Sequence, residues 1–273
     1  MNEQKGWNVL EISNLTKIFN RGSINEVTAI RSLSCFVNKG DFVTVIGSNG
    51  AGKSTLLNLV AGTYLPDEGS IRLGGHDVTF WPEHKRAAYI GRVFQNPLSG
   101  TCASMSIEEN FAMASRRGLG VSLKWGVTRR DREFFKEKLR LLGLGLEHRL
   151  RDKVGLLSGG QRQSLTLLMA TLRRPRLLLL DEHTAALDPR TAQQVLQLTE
   201  EIIREMELTA VMVTHNMRHA LELGNRLIMM HHGRIILDVA GEKKKALSVQ
   251  DLLHEFSKLR GGDEIADDKM LLI

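Results

Sequence analysis

Apolar and polar residues alternate along the first part of the chain, from residue 9 to 37, in segments such as VLEISNL and VTAIRSLSCFV. A period of two predicts half-buried antiparallel strands. The pattern then changes. Residues 41–46 (DFVTVI), 177–180 (LLLL) and 210–213 (AVMV) are unbroken apolar or β-branched runs. Such runs predict strands covered on both faces, as in a parallel sheet. Helical segments lie between them. Residues 226–230 and 234–239 flank His231-His232-Gly233 and predict a hairpin with a short turn. No internal repeat is visible.

The stretch 106–174 reads as helical. Ser106-x-x-Glu109 is a capping box opening one helix. Thr128 can cap a second, with Phe135, Leu139 and Leu142 on one stripe and Gly143 just past its end. Ser158-x-x-Gln161 is a third capping pattern, before a helix running to about Leu172. The expected architecture is one α/β core interrupted by a helical subdomain.

Composition narrows the class. The 273 residues suffice for one large α/β domain or two small ones. With 42 % apolar and 25 % charged residues, disorder is excluded. No apolar run approaches the ~18 residues of a membrane-spanning helix, and MNEQKGWNVLEIS has no apolar signal core. The expectation is a soluble chain whose tie to a membrane goes through a partner. Cys35 and Cys102 stand 67 positions apart, which argues against a disulfide scaffold or zinc site and fits a reducing cytosol. The net charge is +6, and residues 96–157 hold 12 Lys/Arg against 7 Asp/Glu, so +5 of it lies there. The closing GGDEIADDKMLLI reads as a mobile or loosely docked tail.

Residues Gly47, Ser48, Asn49, Gly50, Ala51, Gly52, Lys53, Ser54 and Thr55 fit G-x-x-x-x-G-K-[ST], after the strand DFVTVI and before the apolar TLLNLVAG. Strand before and helix after is the context in which this loop binds phosphate. Glycines let the backbone fold round an anion with N–H groups pointing inward, and the helix N-terminus adds partial positive charge. Lys53 can reach the β- and γ-phosphates, and the Ser54 hydroxyl can sit on Mg2+. Asn38-Lys39-Gly40-Asp41 matches the NKxD that reads guanine in GTPases, but it precedes the phosphate loop. It reads as a turn entering a strand, and a GTPase is rejected.

Leu157-Ser158-Gly159-Gly160-Gln161 offers a second helix start able to hold an anion. Two such termini in one chain suggest that two chains share each nucleotide. Asp181 and Glu182 close the LLLL run. An aspartate can neutralise a metal while a neighbouring glutamate orients a water or takes its proton.

In these motifs the chain resembles the ABC (ATP-binding cassette) ATPases from about residue 8 to 260. GSNGAGKST, Gln95 in RVFQNP, LSGGQ, LLLLDE, AALD and His215 in VTHN stand in the family's order. The resemblance implies an α/β P-loop NTPase (RecA-like) core with an antiparallel β subdomain and a helical subdomain. The divisions expected are 1–95 (β subdomain and first half of the core), 96–157 (helical subdomain), 158–260 (signature helix and second half) and 261–273 (tail). It also implies roles. Phe19, in NLTKIF, stacks on adenine. Gly47 to Thr55 hold the phosphates of ATP. Ser54, Gln95 and Asp181 serve Mg2+, and Gln95 also senses the attacking water and the permease. Glu182 is the general base, and His215 links the γ-phosphate to it. Ser158, Gly159, Gly160 and Gln161 close on the ATP of the opposite subunit, with Asp188 in a loop at that interface. His183 stands where the family usually has Pro. With DEHTAALDP and THNMRHALELGNRLIMMHHGRIILD, it points to the subgroup serving tryptophan/tyrosine-type bacterial importers.

The implied protein is the ATPase subunit of a bacterial ABC transporter, an importer in the first reading. It would sit peripherally on the cytoplasmic face of the inner membrane and form a head-to-tail homodimer on ATP binding. It would dock on integral-membrane permease subunits and serve a solute-binding protein indirectly. No nucleic acid is expected, because translation relatives carry two cassettes and repair relatives a far longer insertion. An assembly factor, as in iron–sulfur cluster biogenesis, and an exporter subunit remain alternatives. The basic insert, with Arg129, Arg130 and Arg132, is expected to face the membrane. His215 and His219 could pair on one helical turn, but no third metal ligand is evident. His219, His231 and His232 are expected at the surface, and Lys243 to Lys245 on a solvated face.

Overall fold

The alternating N-terminal segments become two long strands, β1 (Asn8–Phe19) and β2 (Val27–Asn38), paired antiparallel. In chain order follow β3 (Phe42–Gly47), α1 (Lys53–Ala61), β4 (Glu68–Leu73), β5 (His76–Asp77), α2 (Glu83–Arg86), β6 (Ile90–Val93), α3 (Ile107–Ser115), α4 (Arg129–Arg140), α5 (Gly159–Thr171) and β7 (Leu177–Asp181). Then come α6 (Pro189–Glu205), β8 (Ala210–Val213), α7 (Met217–Glu222), β9 (Arg226–His231), β10 (Arg234–Ala240), α8 (Glu242–Lys245) and α9 (Val249–Leu259). This computed structural model describes residues 8–118 and 126–259, so the expected tail at 261–273 lies outside the described residues. No helix among the described residues is long and apolar enough to cross a membrane. The chain forms two compact units, residues 8–82 with 209–259, and residues 83–208.

In the first unit an antiparallel sheet runs β2-β1-β4-β5. Leu10 lies opposite Val37 and Leu73, and Ile12 opposite Cys35 and Ile71. The period of two slips between Ile12 and Leu15, where the register shifts and Asn14 takes a φ of 48°. Asn tolerates this left-handed conformation, and the bulge keeps Leu15 on the buried face. Beyond β2 the NKGD segment is the expected turn: Asp41 N–H donates to Asn38 O at 3.1 Å and Gly40 has a φ of 82°.

Strand β3 pairs in parallel with both β8 and β9. Its residues 42–46 are all buried, as an unbroken apolar run requires. The hairpin β9–β10 turns on His232 and Gly233, with φ of 44° and 77°. Two positive φ values suit the right-handed twist of the flanking strands. Arg226 locks this corner. Its guanidinium donates to both Asp238 carboxylate oxygens at 2.7 and 2.6 Å and to Phe36 O at 2.7 Å.

Lys244, expected on a solvated face, is instead buried, with 2 % of its surface exposed. Its Nζ donates to Leu223 O and, at 2.9 Å, to Gly224 O, carbonyls just past α7. Burial pushes its pKa from an ordinary 10.5 down to about 8. Between those values the unfolded chain holds the proton and the folded one does not, so raising the pH favours folding. The Tm of the wild type, measured against Lys244→Met, is therefore expected to gain as the pH rises from 8 towards 10.

In the second unit β6 and β7 pair in parallel, from Ile90 with Leu177 to Val93 with Leu180. The helices beside them share one apolar core, in which Ile107, Phe111, Phe135, Leu139, Leu142, Leu165 and Leu168 are buried. The Phe111 and Phe135 rings meet edge-on at 5.3 Å. Capping boxes open α3 at Ser106, α4 at Thr128 and α5 at Ser158, each with its reciprocal bonds. The expected stripe of Phe135, Leu139 and Leu142 is the buried face of α4 and its end, and Gly143 follows with a φ of 63°. Arg132, on α4, has an ion-pair partner within this unit. It forms a bidentate pair with Glu108, at 2.7 and 3.1 Å, joining α4 to α3. Arg129 and Arg130 are exposed.

Candidate functional site

Strand β3 ends at Gly47 and α1 begins at Lys53, so the motif GSNGAGKS is the turn between them. Gly50 and Gly52 have φ of 76° and 96°, values an L side chain resists. Gly52 also lies against β2: a Cβ there would stand 2.5 Å from Ala29 O and 2.9 Å from Ile30 Cδ1. The loop is tightened by Ala51 N–H donating to Ser48 O at 3.1 Å. Gly233 N–H, from the β9–β10 turn, donates to Ala51 O at 3.0 Å.

Lys53 is 5 % exposed. Its Nζ donates to Gly47 O at 2.7 Å and Ser48 O at 3.0 Å. A buried ammonium is tolerated only with polar acceptors or an anion at hand. Helix α1 has Gly52 as its N-cap, so no side chain caps it, and its first turn carries no acidic residue. Its positive end thus suits an external anion. Ser54, in that first turn, is exposed, as are Asn49 and Gly50, while Thr55 is half-buried.

His215 follows β8. Val213 pairs with Val45, and Thr214 N–H donates to Val45 O at 3.1 Å, so His215 leaves the sheet at the same strand ends as Gly47. Ligands of open α/β sheets bind at such carboxyl ends. The helical pairing of His215 with His219 does not form. Asn216 is the N-cap of α7, accepting from His219 N–H at 3.0 Å, which leaves His215 ahead of the helix. His219 is half-buried rather than on the surface, and that burial lowers its pKa. His231 is half-buried too, with Nδ1 3.5 Å from Ser48 Oγ, while His232 is exposed. Phe19 is half-buried at the end of β1. Its ring meets Tyr64 edge-on at 5.3 Å, and Lys17 Nζ lies 5.6 Å from its centroid.

The remaining residues belong to the second unit. Gln95 is exposed two positions past β6, and Asp181 is the last residue of β7. These parallel neighbours deliver both at the same strand ends. Arg92 Nη2 stands 3.9 Å from Asp181 Oδ2. Glu182 has a φ of 45°, uncommon outside glycine and asparagine. Ser158 Oγ accepts from Gln161 N–H at 3.2 Å, and Gln161 Oε1 accepts from Ser158 N–H at 3.2 Å. The Ser158 hydroxyl proton stays available to an oxyanion. Gly160 abuts the Thr191 methyl of α6, where a Cβ would overlap it. Asp188 is the N-cap of α6, accepting from Thr191 N–H at 3.1 Å.

Two contacts had no signal in the sequence. Gln163, fully buried on α5, donates to Phe94 O at 3.2 Å, tying the signature helix to the strand that carries Gln95. His183 is buried and bonds to α6.

The family model described as ABC transporter matches residues 30–185. The chain is 45 % identical over 248 residues to the tyrosine transport ATP-binding protein of Clostridioides difficile, covering 91 % of this chain and 98 % of that one. It is 37 % identical to the thiamine import ATP-binding protein of a Chelativorans species, covering 75 % and 78 %. Its fold matches a dimeric ATP-binding cassette in a post-hydrolysis state bound to ADP and Pi, with a TM-score of 0.71, 26 % identity and coverage of 85 % and 98 %. A glycine loop closed on a buried lysine, paired carboxylates after an apolar strand and these likenesses lead to one conclusion: the chain belongs to the ABC transporter family and is an ATP-binding cassette ATPase.

Proposed function

We propose that two copies of this chain, head to tail, hydrolyse Mg-ATP at the cytoplasmic face of the membrane to drive import of a small solute through separate permease subunits. The observation that carries the reading is Lys53, an ammonium shut inside a left-handed glycine loop at an uncapped helix start. Loop amides, a lysine and the positive end of a helix at one turn are the combination that holds the phosphates of a nucleotide.

The donor set suits the metal as well. Ser54, Gln95 and Asp181 offer hydroxyl, amide and carboxylate oxygens, the hard ligands magnesium takes alongside nucleotide phosphates. Bound there, the ion would neutralise charge developing on the phosphates. The protein's own groups do the rest. The loop amides and Lys53 hold the phosphates, and Phe19 stacks on the base. Glu182 orients the attacking water and accepts its proton. His215 holds the γ-phosphate. Ser158 and the first amides of α5 close on the nucleotide held by the other copy. The dimeric neighbour with ADP and Pi supports such pairing, and the import proteins among the relatives support permease partners. The tyrosine relative favours an amino acid or a related small solute.

Purification in mild detergent, followed by mass spectrometry, tests the assembly. The expected companions are integral-membrane permease subunits and a solute-binding protein. Iron–sulfur assembly proteins in their place would overturn the transport reading.

A further inference from the structure

We propose that His183 is a positioning residue for hydrolysis: its bond to Thr199 on α6 holds the left-handed turn that presents Glu182. The proposal rests on Glu182 being the general base.

The backbone leaves β7 through Asp181 and bends at once, with Glu182 at a φ of 45°. A glutamate keeps that conformation only where its surroundings over-determine it. Two restraints act here. Ala185 N–H donates to Glu182 O at 2.9 Å and closes the turn. His183 then turns inward, 2 % exposed, with Nε2 3.0 Å from Thr199 Oγ1.

The direction of that bond is fixed by counting protons. Thr199 is 1 % exposed, and its hydroxyl donates to Val195 O at 2.7 Å, one turn back along α6. A hydroxyl has one proton. Thr199 therefore accepts from His183, and His183 carries a proton on Nε2. Thr199 shares the buried face of α6 with Val195, Leu196, Ile202 and Ile203, so the anchor is a 17-residue helix seated in the core. Where the resembling cassettes carry Pro, a ring restricts the backbone of its own residue and of the one before it. His183 has no such ring. The restraint here is instead a side-chain bond to a residue 16 positions away.

The test compares near-isosteric variants in steady-state Mg-ATP hydrolysis. Thr199→Val removes the acceptor and is expected to lower kcat about tenfold, the rate equivalent of one lost buried hydrogen bond, with KM within about twofold. Thr199→Ser keeps the acceptor and is expected to keep kcat. His183→Leu should behave as Thr199→Val does, and His183→Gln, which retains a donor at similar reach, should recover most of the loss. Because both partners act through one bond, the double variant His183→Leu/Thr199→Val should be no slower than the slower single one. In 1H–15N spectra the wild type and Thr199→Ser should show a protected imidazole N–H that Thr199→Val lacks. Full kcat in Thr199→Val, or losses that multiply in the double variant, would overturn the proposal. Should Thr199→Val not fold, equal kcat in His183→Leu and His183→Gln would overturn it as well. Glu182→Gln measured in parallel separates the two ideas. Full turnover in that variant removes the base, whereas its inactivity beside a fully active Thr199→Val removes only the positioning role.

Discussion

Glu182→Gln is expected to lower ATP turnover by about 10²–10⁴-fold while leaving ATP binding intact. The two side chains match in shape, so the left-handed turn at residue 182 and its bond to Ala185 should survive. What disappears is the capacity to take a proton from water. An amide can still orient the water but cannot neutralise it as it attacks, so the penalty falls on the chemical step. With hydrolysis stalled and Lys53 and Ser54 untouched, nucleotide accumulates in the closed pair. Size-exclusion chromatography with Mg-ATP is then expected to show a stable dimer. Ordinary turnover in this variant would leave Glu182 without the assigned role.

Gly52→Ala should produce a large loss of nucleotide binding from a single methyl group. At a φ of 96° an alanine is strained, by about 1–2 kcal/mol on the left-handed scale. Its Cβ would also stand 2.5 Å from Ala29 O, a backbone atom of β2 that cannot rotate away. Either the loop or the strand must shift. The expected total is about 2–4 kcal/mol of stability, within the range of severe single substitutions. Gly50→Ala is the matched control. Its φ is 76°, but a Cβ there meets nothing within 4 Å, so only the strain of about 1 kcal/mol should remain. Thermal melts give the two stabilities, and calorimetry with Mg-ATP gives the two affinities. Equal losses in both variants would mean that the close approach to Ala29 is unimportant.

The features legible in the sequence were those with local signals. Period-two alternation marked β1 and β2. Unbroken apolar runs marked β3, β7 and β8. The S-x-x-E and S-x-x-Q spacings marked where α3 and α5 begin, because a capping box is written within four residues. The site residues stood at the ends of those elements and could be named with them. Illegible features depended on distant partners or on backbone shape. Arg132 looked like an exposed basic residue, but Glu108, 24 positions away, claims it. Lys244 looked solvated in a run of lysines, yet carbonyls near α7 draw it inside. The left-handed φ of Glu182 belongs to a residue type that seldom adopts it. The pairing of His215 with His219 assumed a helix that starts only after Asn216.

One compact unit, residues 83–208, is continuous along the chain, whereas the other joins residues 8–82 to 209–259. This has a consequence for how the protein is made. Strand β3 finds its parallel partners, β8 and β9, only after some 170 further residues have been synthesised. During translation the inserted stretch can fold as soon as it clears the ribosome, since domains generally fold as units in the order of their emergence. The sheet bearing the lysine loop must wait for the closing strands, with its apolar β3 unpaired meanwhile. The newborn chain is thus most exposed to aggregation in the seconds before β8 and β9 arrive.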